Sequence, residues 1–201
     1  MNDETVRTEK VSNPKKDFRY ILGWVYLQLS GWQVAGKPPS LSKFVVVGAP
    51  HTSNWDLPLL LAIAFFFGLR VSWMGKHTLF RGPFDAIFRW LGGIPIERQS
   101  SHGAVEQMIE EFQKRDRLIL VLAPEGTRRR VESWKSGFYH IAVGAGVPIL
   151  IGFIDYGRNK GGIGPLIDPS GDIEADMAKI RNFFATVTPR HPERFGPVII
   201  K

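Results

Sequence analysis

An imidazole and a carboxylate lie five residues apart at the end of a short apolar segment. His51 and Asp56 belong to the run APHTSNWD, which follows the apolar residues 44–48. On one regular helix, five residues would turn the two side chains about 140° apart. We therefore expect His51 in a turn and Asp56 in the first turn of the following helix, with residues 52–54 as suitable N-cap residues. An imidazole held by a carboxylate can act as a general base towards an alcohol.

A second polar run, APEGTRRR, follows the apolar residues 118–122. It supplies four candidate binding residues, which are Glu125, Gly126, Thr127 and Arg128. The glycine allows an unusual backbone angle, the threonine and the arginine can bind phosphate oxygens, and the glutamate can order the basic groups beside it. The carboxyl ends of strands in a parallel sheet host the binding crevice, so this run and His51 share one crevice if their strands are neighbours. A solvated turn is the alternative interpretation.

Two further basic residues follow apolar segments of the chain. Arg98 comes after residues 93–96, and its guanidinium can form a bidentate pair with a phosphate. Lys76 comes after residues 71–74 and can reach a developing oxyanion or a phosphate. Taken alone, each residue is equally well interpreted as an ordinary surface cation.

These side chains need elements that bring them together, and the chain alternates apolar segments with helical patterns. The predicted strands are 44–48, 71–74, 93–96, 118–122 and 148–154, with 163–167 as a sixth at the sheet edge. The predicted helices are 18–32, 54–67, 83–91, 104–114, one that ends at 143, and 173–187. Strands that are apolar throughout and alternate with helices are typical of a mainly parallel sheet. We expect a single α/β domain with helices on both faces of the sheet, preceded by an N-terminal aromatic-rich helix.

The N-terminal segment, residues 1–40, is predicted to precede the main domain at 41–201. Its helix at 18–32 is rich in Trp, Tyr, Leu and Ile and is interrupted near Gly31. This helix either packs on the core or lies at a membrane interface, where aromatic rings are favoured. No apolar stretch reaches the ~20 residues of a membrane-spanning helix. We expect no signal peptide, because the N-terminus lacks an apolar core and a cleavage site.

The composition indicates one globular domain with a basic surface. The 201 residues carry a net charge of +7, from 26 Lys and Arg against 19 Asp and Glu. This charge suits an anionic membrane surface, a phosphate-bearing substrate or an acidic carrier protein, and no nucleic-acid-binding motif is present. The chain has no cysteine, which excludes thiol catalysis and disulfides. The histidines show no metal-binding spacing, so we expect no metal site.

Taken together, these runs resemble the glycerolphosphate acyltransferase family, which includes the lysophospholipid acyltransferases. The two strongest matches are the family motifs H-x-x-x-x-D, at 51–56, and E-G-T-R, at 125–128. Weaker matching blocks are K-x-x-L-F at 76–80 with Pro83, GIPIER at 93–98 and VPI at 147–149. The order and spacing of the blocks are similar to those of the family over roughly residues 43–155. Pro95 and Glu97 depart from the usual phenylalanine and aspartate, in a region expected to shape acceptor recognition.

The resemblance implies a reaction and a role for the candidate residues. His51 takes the proton of an acceptor hydroxyl, Asp56 orients the imidazole, and the resulting alkoxide attacks an acyl thioester of coenzyme A or acyl carrier protein. No acyl-enzyme is needed. Lys76 or a backbone amide stabilises the oxyanion. The acceptor phosphate is held by Arg98, Thr127 and Arg128. No cofactor is implied apart from the thioester co-substrate.

The function implied by the resemblance is acyl transfer to a lysophospholipid such as 1-acyl-glycerol-3-phosphate, a step of phospholipid biosynthesis. The expected location is peripheral, on the cytoplasmic face of a membrane. Two alternatives stay open: an acyl thioesterase in which His51 and Asp56 activate water, and a non-catalytic basic lipid-binding protein. The sequence also leaves open the acceptor, the acyl chain length, the donor and the oligomeric state.

Overall fold

A computed structural model describes residues 17–96 and 101–200 of the chain. Strands and helices alternate along most of these residues, as predicted. The strands are β1 (Gln33–Ala35), β2 (Lys43–Ala49), β3 (Val71–Lys76), β4 (Gly93–Ile96), β5 (Leu118–Leu122), β6 (Ile149–Asp155) and β7 (Lys160–Ile167). The helices are α1 (Phe18–Leu29), α2 (Asp56–Phe66), α3 (Asp85–Trp90), α4 (Ser101–Lys114), α5 (Gly137–Ala145) and α6 (Ile173–Phe184), with short 3₁₀ helices at His77–Phe80 and Pro192–Arg194.

The strands form one sheet in the order β1-β7-β6-β2-β5-β3-β4. Every neighbouring pair is parallel except β6 and β7, which are antiparallel. The prediction of a mainly parallel sheet is therefore confirmed. Because β6, β2, β5 and β3 are consecutive and parallel, the segments that follow these four strands emerge at the same edge of the sheet.

The predicted position of the sixth strand, at the edge of the sheet, is wrong. β7 is covered by β1, a three-residue strand that the sequence did not predict and that pairs with residues 160–162. A strand this short has no readable alternation of apolar and polar residues. Two glycines allow the close approach, since a Cβ at Gly36 or Gly162 would collide with the carbonyl oxygen of the residue opposite, Ile163 or Ala35.

Alternating side chains of β2 show why helices cover both faces of the sheet. Val45 and Val47 join the larger core, which is formed with α4, α5 and α6. Phe44 and Val46 point to the other face and pack with residues of β6 and β7 under the end of α2. Successive residues of a strand point to opposite faces, so a strand that is apolar throughout needs an apolar layer on each side. The prediction of helices on both faces is confirmed.

The N-terminal helix is only partly attached to the core. Its helix ends at Leu29, and Gly31 adopts a positive φ of 72°, in agreement with the predicted interruption. Gly23 and Leu27 are the buried residues of α1, and Gly23 lies against α2. The opposite side of α1 is apolar and exposed, with Phe18 74% and Leu29 85% accessible.

We call this surface the α1 apolar face; its residues are Phe18, Ile21, Leu22, Val25 and Leu29. At about 100° per residue, these five positions fall within roughly 100° of arc on one side of the helix. The structure therefore gives α1 a narrow contact with the core and a broad apolar surface facing outwards. Within residues 17–96 and 101–200, no helix is both long enough and apolar enough to cross a membrane.

The division of the chain into an N-terminal segment at 1–40 and a main domain at 41–201 stays a prediction. β1 lies before that boundary and belongs to the sheet, so the sheet draws on both sides of it.

Candidate active site

The two strongest motifs meet where β2 and β5 end. These strands are parallel neighbours, with Val47 opposite Leu122. His51 follows β2 and Glu125 follows β5, and the backbone N–H of His51 donates a hydrogen bond of 2.7 Å to Glu125 Oε1. A direct bond thus joins two runs that are 74 residues apart. The expectation that these runs share one edge of the sheet is confirmed.

The imidazole and the carboxylate converge as their spacing predicts. His51 lies in the turn after β2, and Asp56 is the first residue of α2. The Nδ1 atom of His51 lies 3.3 Å from Oδ2 of Asp56. The His51 side chain is 26% exposed and that of Asp56 only 5%. The contact with Asp56 occupies Nδ1 and not Nε2, the other ring nitrogen.

The turn between them is closed differently from the prediction. None of residues 52–54 occupies the N-cap of α2, which is Trp55 and makes no side-chain capping bond. Ser53 instead accepts a hydrogen bond from the Trp55 N–H through Oγ, and its own N–H donates to Asp56 Oδ2 at 2.8 Å. Thr52, buried, accepts the N–H of His191. The short polar side chains fold the turn and bind the C-terminal segment, so they are not available as caps.

Asp56 is held as a carboxylate despite its burial. Burial by itself would raise its pKa, but hydrogen bonds from His51, Ser53 and Tyr156 outweigh this effect, so the pKa of Asp56 lies below its ordinary value. The Tyr156 hydroxyl donates to Asp56 Oδ1 at 2.8 Å. A charged carboxylate next to Nδ1 fixes the orientation of an imidazole and stabilises its cation.

In Glu125, the effect of burial on the pKa outweighs that of hydrogen bonding. The residue is 2% exposed, and burial raises its pKa to about 7, against the lowering effect of the His51 N–H and of the His51 charge. The Asp56 charge raises it further. Its Oε2 atom is buried without a hydrogen-bond partner among the described residues. The carboxyl group therefore anchors the His51 backbone through one oxygen and holds a proton more readily than a surface glutamate.

The rest of the second run is open to solvent. Gly126 has a φ of +66°, the left-handed conformation that favours glycine. Thr127 and Arg128 are exposed, and Arg128 has no carboxylate partner within the described ranges. The loop adds one cation that the sequence did not single out: a Cβ at Gly126 would lie 3.2 Å from Lys135 Nζ.

Lys76 is the last residue of β3 and is exposed at the same edge of the sheet. β3 follows β5 in the sheet order, so Lys76 lies beyond Glu125 as seen from His51. Arg98, the remaining predicted phosphate ligand, lies outside the described residues.

Sequence reasoning missed the contribution of β6 and of the C-terminal segment. Tyr156, directly after β6, reaches Asp56. The guanidinium of Arg190 lies 5.6 Å from the centre of the Tyr156 ring, and Arg194 donates to the backbone oxygen of Thr52. None of these residues belongs to a recognisable run. The one signal in the sequence is that Tyr156 comes two residues after the apolar strand predicted at 148–154. The described parts of the chain contain no group of three or more His, Asp or Glu residues that could hold a metal ion.

This arrangement can perform acid–base chemistry beside a group of cations. A partly exposed imidazole backed by a buried carboxylate can remove a proton from an alcohol or water. Exposed lysine and arginine side chains on the neighbouring strand ends can bind an anionic substrate.

Comparisons with known proteins show the family to which the chain belongs. A family model described as Acyltransferase matches residues 33–151. The 1-acyl-sn-glycerol-3-phosphate acyltransferase of Escherichia coli is 35% identical over 119 residues, 56% of this chain and 47% of that protein. The enzyme of the same name from Haemophilus influenzae is 31% identical over 117 residues, 55% of this chain and 47% of that protein. The chain spans about half the length of these curated relatives.

The fold has a solved relative. The crystal structure of the 1-acyl-sn-glycerophosphate acyltransferase from Thermotoga maritima aligns with a TM-score of 0.56 and 25% identity, covering 81% of this chain and 73% of that one. Tyr156 and residues 188–194 lie beyond the matched family region.

Proposed function

This chain belongs to the acyltransferase family, and from that premise we propose that it transfers a fatty acyl group from a thioester to the hydroxyl of a lysophospholipid such as 1-acyl-glycerol-3-phosphate. The observation that carries the proposal is the 3.3 Å contact between His51 Nδ1 and Asp56 Oδ2. This contact sits inside the family region and backs an accessible imidazole with a buried charge. The names of the curated relatives support the choice of acceptor.

In the proposed reaction, His51 Nε2 accepts the proton of the acceptor hydroxyl while Asp56 stabilises the imidazolium. The oxygen attacks the thioester carbonyl, the tetrahedral oxyanion is stabilised by Lys76 or a backbone amide, and the C–S bond breaks. The imidazolium then returns its proton to the departing thiolate. The donor is acyl coenzyme A or acyl carrier protein, and the reaction needs no other cofactor.

The acceptor phosphate is proposed to bind the exposed cations beside this pair. Arg128 is free to do so because it has no carboxylate partner within the described ranges, and Thr127 next to it is exposed. Arg98 completes the proposed set on the strength of the sequence motif.

The proposed location is the surface of a membrane, on its cytoplasmic face. The α1 apolar face supports it, because exposed aromatic and aliphatic side chains on one side of a helix favour the headgroup region. The net charge of +7 favours anionic lipids.

The test is an acyl-transfer assay with acyl coenzyme A or acyl carrier protein as donor and a panel of lysophospholipids as acceptors. Replacing His51→Ala is expected to lower kcat by ~10²–10⁴, the usual size of general-base assistance. Asp172→Asn is the matched control for Asp56→Asn, because Asp172 also stands at a helix N-terminus but lies at α6. Asp56→Asn should be strongly impaired and Asp172→Asn should not.

Other outcomes separate the alternatives. Release of free fatty acid without any acceptor would identify a thioesterase. Salt-sensitive binding to lipid vesicles that persists in the absence of turnover, in wild type and in the His51 and Asp56 variants alike, would identify a non-catalytic lipid-binding protein. A His51→Ala variant as active as wild type would show that the base has been misassigned.

A further inference from the structure

We propose that Tyr156 is a positioning residue for the His51–Asp56 pair, a role that rests on the proposed function. Its hydroxyl donates to Asp56 Oδ1 at 2.8 Å, across 100 positions of sequence. The strands bring the two together: β6 is the parallel neighbour of β2, with Phe153 opposite Ala49. Tyr156 follows β6 directly, so its side chain is delivered to the edge where His51 and Asp56 lie.

The two oxygens of Asp56 have separate tasks. Oδ2 faces the His51 ring and accepts the Ser53 N–H, whereas Oδ1 accepts the Tyr156 hydroxyl. A carboxylate bonded on one oxygen only can rotate about its last side-chain bond. The tyrosine removes that freedom, and with Asp56 only 4% exposed, water cannot easily replace the lost donor. Burial and the Asp56 hydrogen bond also raise the pKa of Tyr156 above its ordinary value, so it stays a donor at physiological pH.

Three contacts hold Tyr156 in place. Its backbone N–H donates to the oxygen of Thr188 at 2.9 Å. Its ring meets that of Trp32 edge to face, with centres 5.0 Å apart, and the Arg190 guanidinium lies 5.6 Å from the ring centre. Trp32 and Arg190 come from opposite ends of the described chain, and both lie outside the matched family region. The support of the pair therefore comes from parts of the chain that carry none of the family motifs.

Removing the hydroxyl has a consequence that a purely structural residue would not have. Without the bond on Oδ1, the Asp56 carboxylate can turn, and its contact with His51 Nδ1 is loosened. The base is then held less well in the orientation that the reaction needs, while the fold itself is unchanged. Among the described residues, the other charged or titratable groups in contact with this cluster are Glu125, from the loop after β5, and Arg190, against the Tyr156 ring.

The experiment compares wild type with Tyr156→Phe, which keeps the ring and deletes the hydroxyl. The first readout is the NMR signal of the proton on His51 Nδ1, assigned by its loss in His51→Ala. We expect this signal to shift and broaden in Tyr156→Phe, because the contact between Nδ1 and Asp56 is loosened.

The second readout is the acyl-transfer reaction. We expect kcat to fall about tenfold, the size of one hydrogen bond to a charged group. KM for the acceptor should stay within about twofold, because the Tyr156 hydroxyl is bonded to Asp56 and not offered to the substrate.

The matched control is Tyr139→Phe. Tyr139 also donates to a buried aspartate, Asp176 Oδ2 at 3.1 Å, but joins α5 to α6 on the other face of the sheet. The Tyr139→Phe variant should lose stability while leaving the His51 Nδ1 proton signal and kcat unchanged. A Tyr156→Phe variant that behaves in the same way, with lower stability but an unchanged His51 signal and kcat, would overturn the positioning role.

The two proposals fail separately. A wild-type protein inactive towards every lysophospholipid and every donor would refute the proposed function. The NMR comparison of wild type with Tyr156→Phe would still decide whether Tyr156 acts on the pair, because it needs no turnover.

Discussion

Two carboxyl groups contact His51, Asp56 at its ring and Glu125 at its backbone N–H, and burial affects them differently. Asp56 receives three hydrogen bonds and stays charged, with its pKa below the ordinary value. Glu125 receives one, from the His51 N–H, and burial raises its pKa to about 7. The number of donors decides the difference, because each hydrogen bond to the charged form offsets part of the cost of desolvation. Asp56 is therefore suited to stabilising a cation, and Glu125 to holding the turn.

Glu125→Gln tests this assignment through the pH dependence of stability. The carboxyl of the unfolded chain ionises near pH 4.5 and that of the folded chain at about 7. Between these values the folded protein holds a proton that the unfolded chain has lost, so the free energy of unfolding falls as the pH rises. Glutamine keeps the Oε1 acceptor and cannot ionise. We expect the stability of the variant, relative to wild type, to increase from about pH 4.5 to 7 and then level off.

The measurement is urea unfolding at a series of pH values. Glu110→Gln is the control, since Glu110 is an exposed glutamate whose pKa is lowered by the Lys114 hydrogen bond. Its variant should show no such increase. A flat difference for Glu125→Gln would mean that the buried carboxyl is ionised throughout.

At the scale of elements, the contact between α1 and α2 depends on one glycine. A Cβ at Gly23 would lie 2.5 Å from the carbonyl oxygen of Ala62 and 2.9 Å from Phe65 Cβ. A backbone oxygen cannot move aside as a flexible side chain can. The close approach places Gly23 and Leu27, the two buried residues of α1, against the core, and the other side of the helix is left exposed.

We therefore expect Gly23→Ala to lower the free energy of unfolding by about 1–3 kcal/mol. The clash should outweigh the gain of ~1 kcal/mol in helix propensity. Gly137→Ala is the matched control, because a Cβ there would meet only Val105 at 3.9 Å; it should be neutral or stabilising in the same urea titration. If Gly23→Ala were as stable as wild type, α1 would not pack this closely.

For the whole molecule, charge and apolar surface point to the same kind of partner. The chain carries a net charge of +7, and the α1 apolar face lies on the side of the sheet opposite α4, α5 and α6. Membrane binding would gain both from attraction to anionic lipids and from burial of apolar side chains. Salt screens the electrostatic attraction but not the apolar contribution.

The double variant Ile21→Ser with Leu29→Ser is expected to bind vesicles of phosphatidylglycerol and phosphatidylethanolamine at least about tenfold more weakly. The reason is that each lost side chain removes ~1 kcal/mol or more of binding free energy from apolar burial. Both side chains are exposed, so stability should hardly change. Cosedimentation at low and high salt measures the effect. Val143→Ser, on the exposed side of α5, should bind as wild type does; equal loss in both variants would argue against a specific role for α1.

Short-range sequence patterns determined most of the strands and the local geometry around His51 and Asp56. Apolar segments such as 44–48 and 118–122 predicted their strands, because a strand buried on both faces must be apolar throughout. The spacing of His51 and Asp56 predicted a turn followed by a helix, because only that geometry lets the two side chains meet. The motifs at 51–56 and 125–128 indicated the family and the position of the site.

Only the tertiary structure decided which distant segments are neighbours. Strand order placed β6 beside β2 and so brought Tyr156 to Asp56, and the three-residue β1 took the sheet edge from β7. The turn before α2 used Thr52 and Ser53 for contacts that no capping rule anticipates. Local sequence sets which backbone shapes and faces are favourable, whereas contacts across 100 residues depend on how all the elements pack at once.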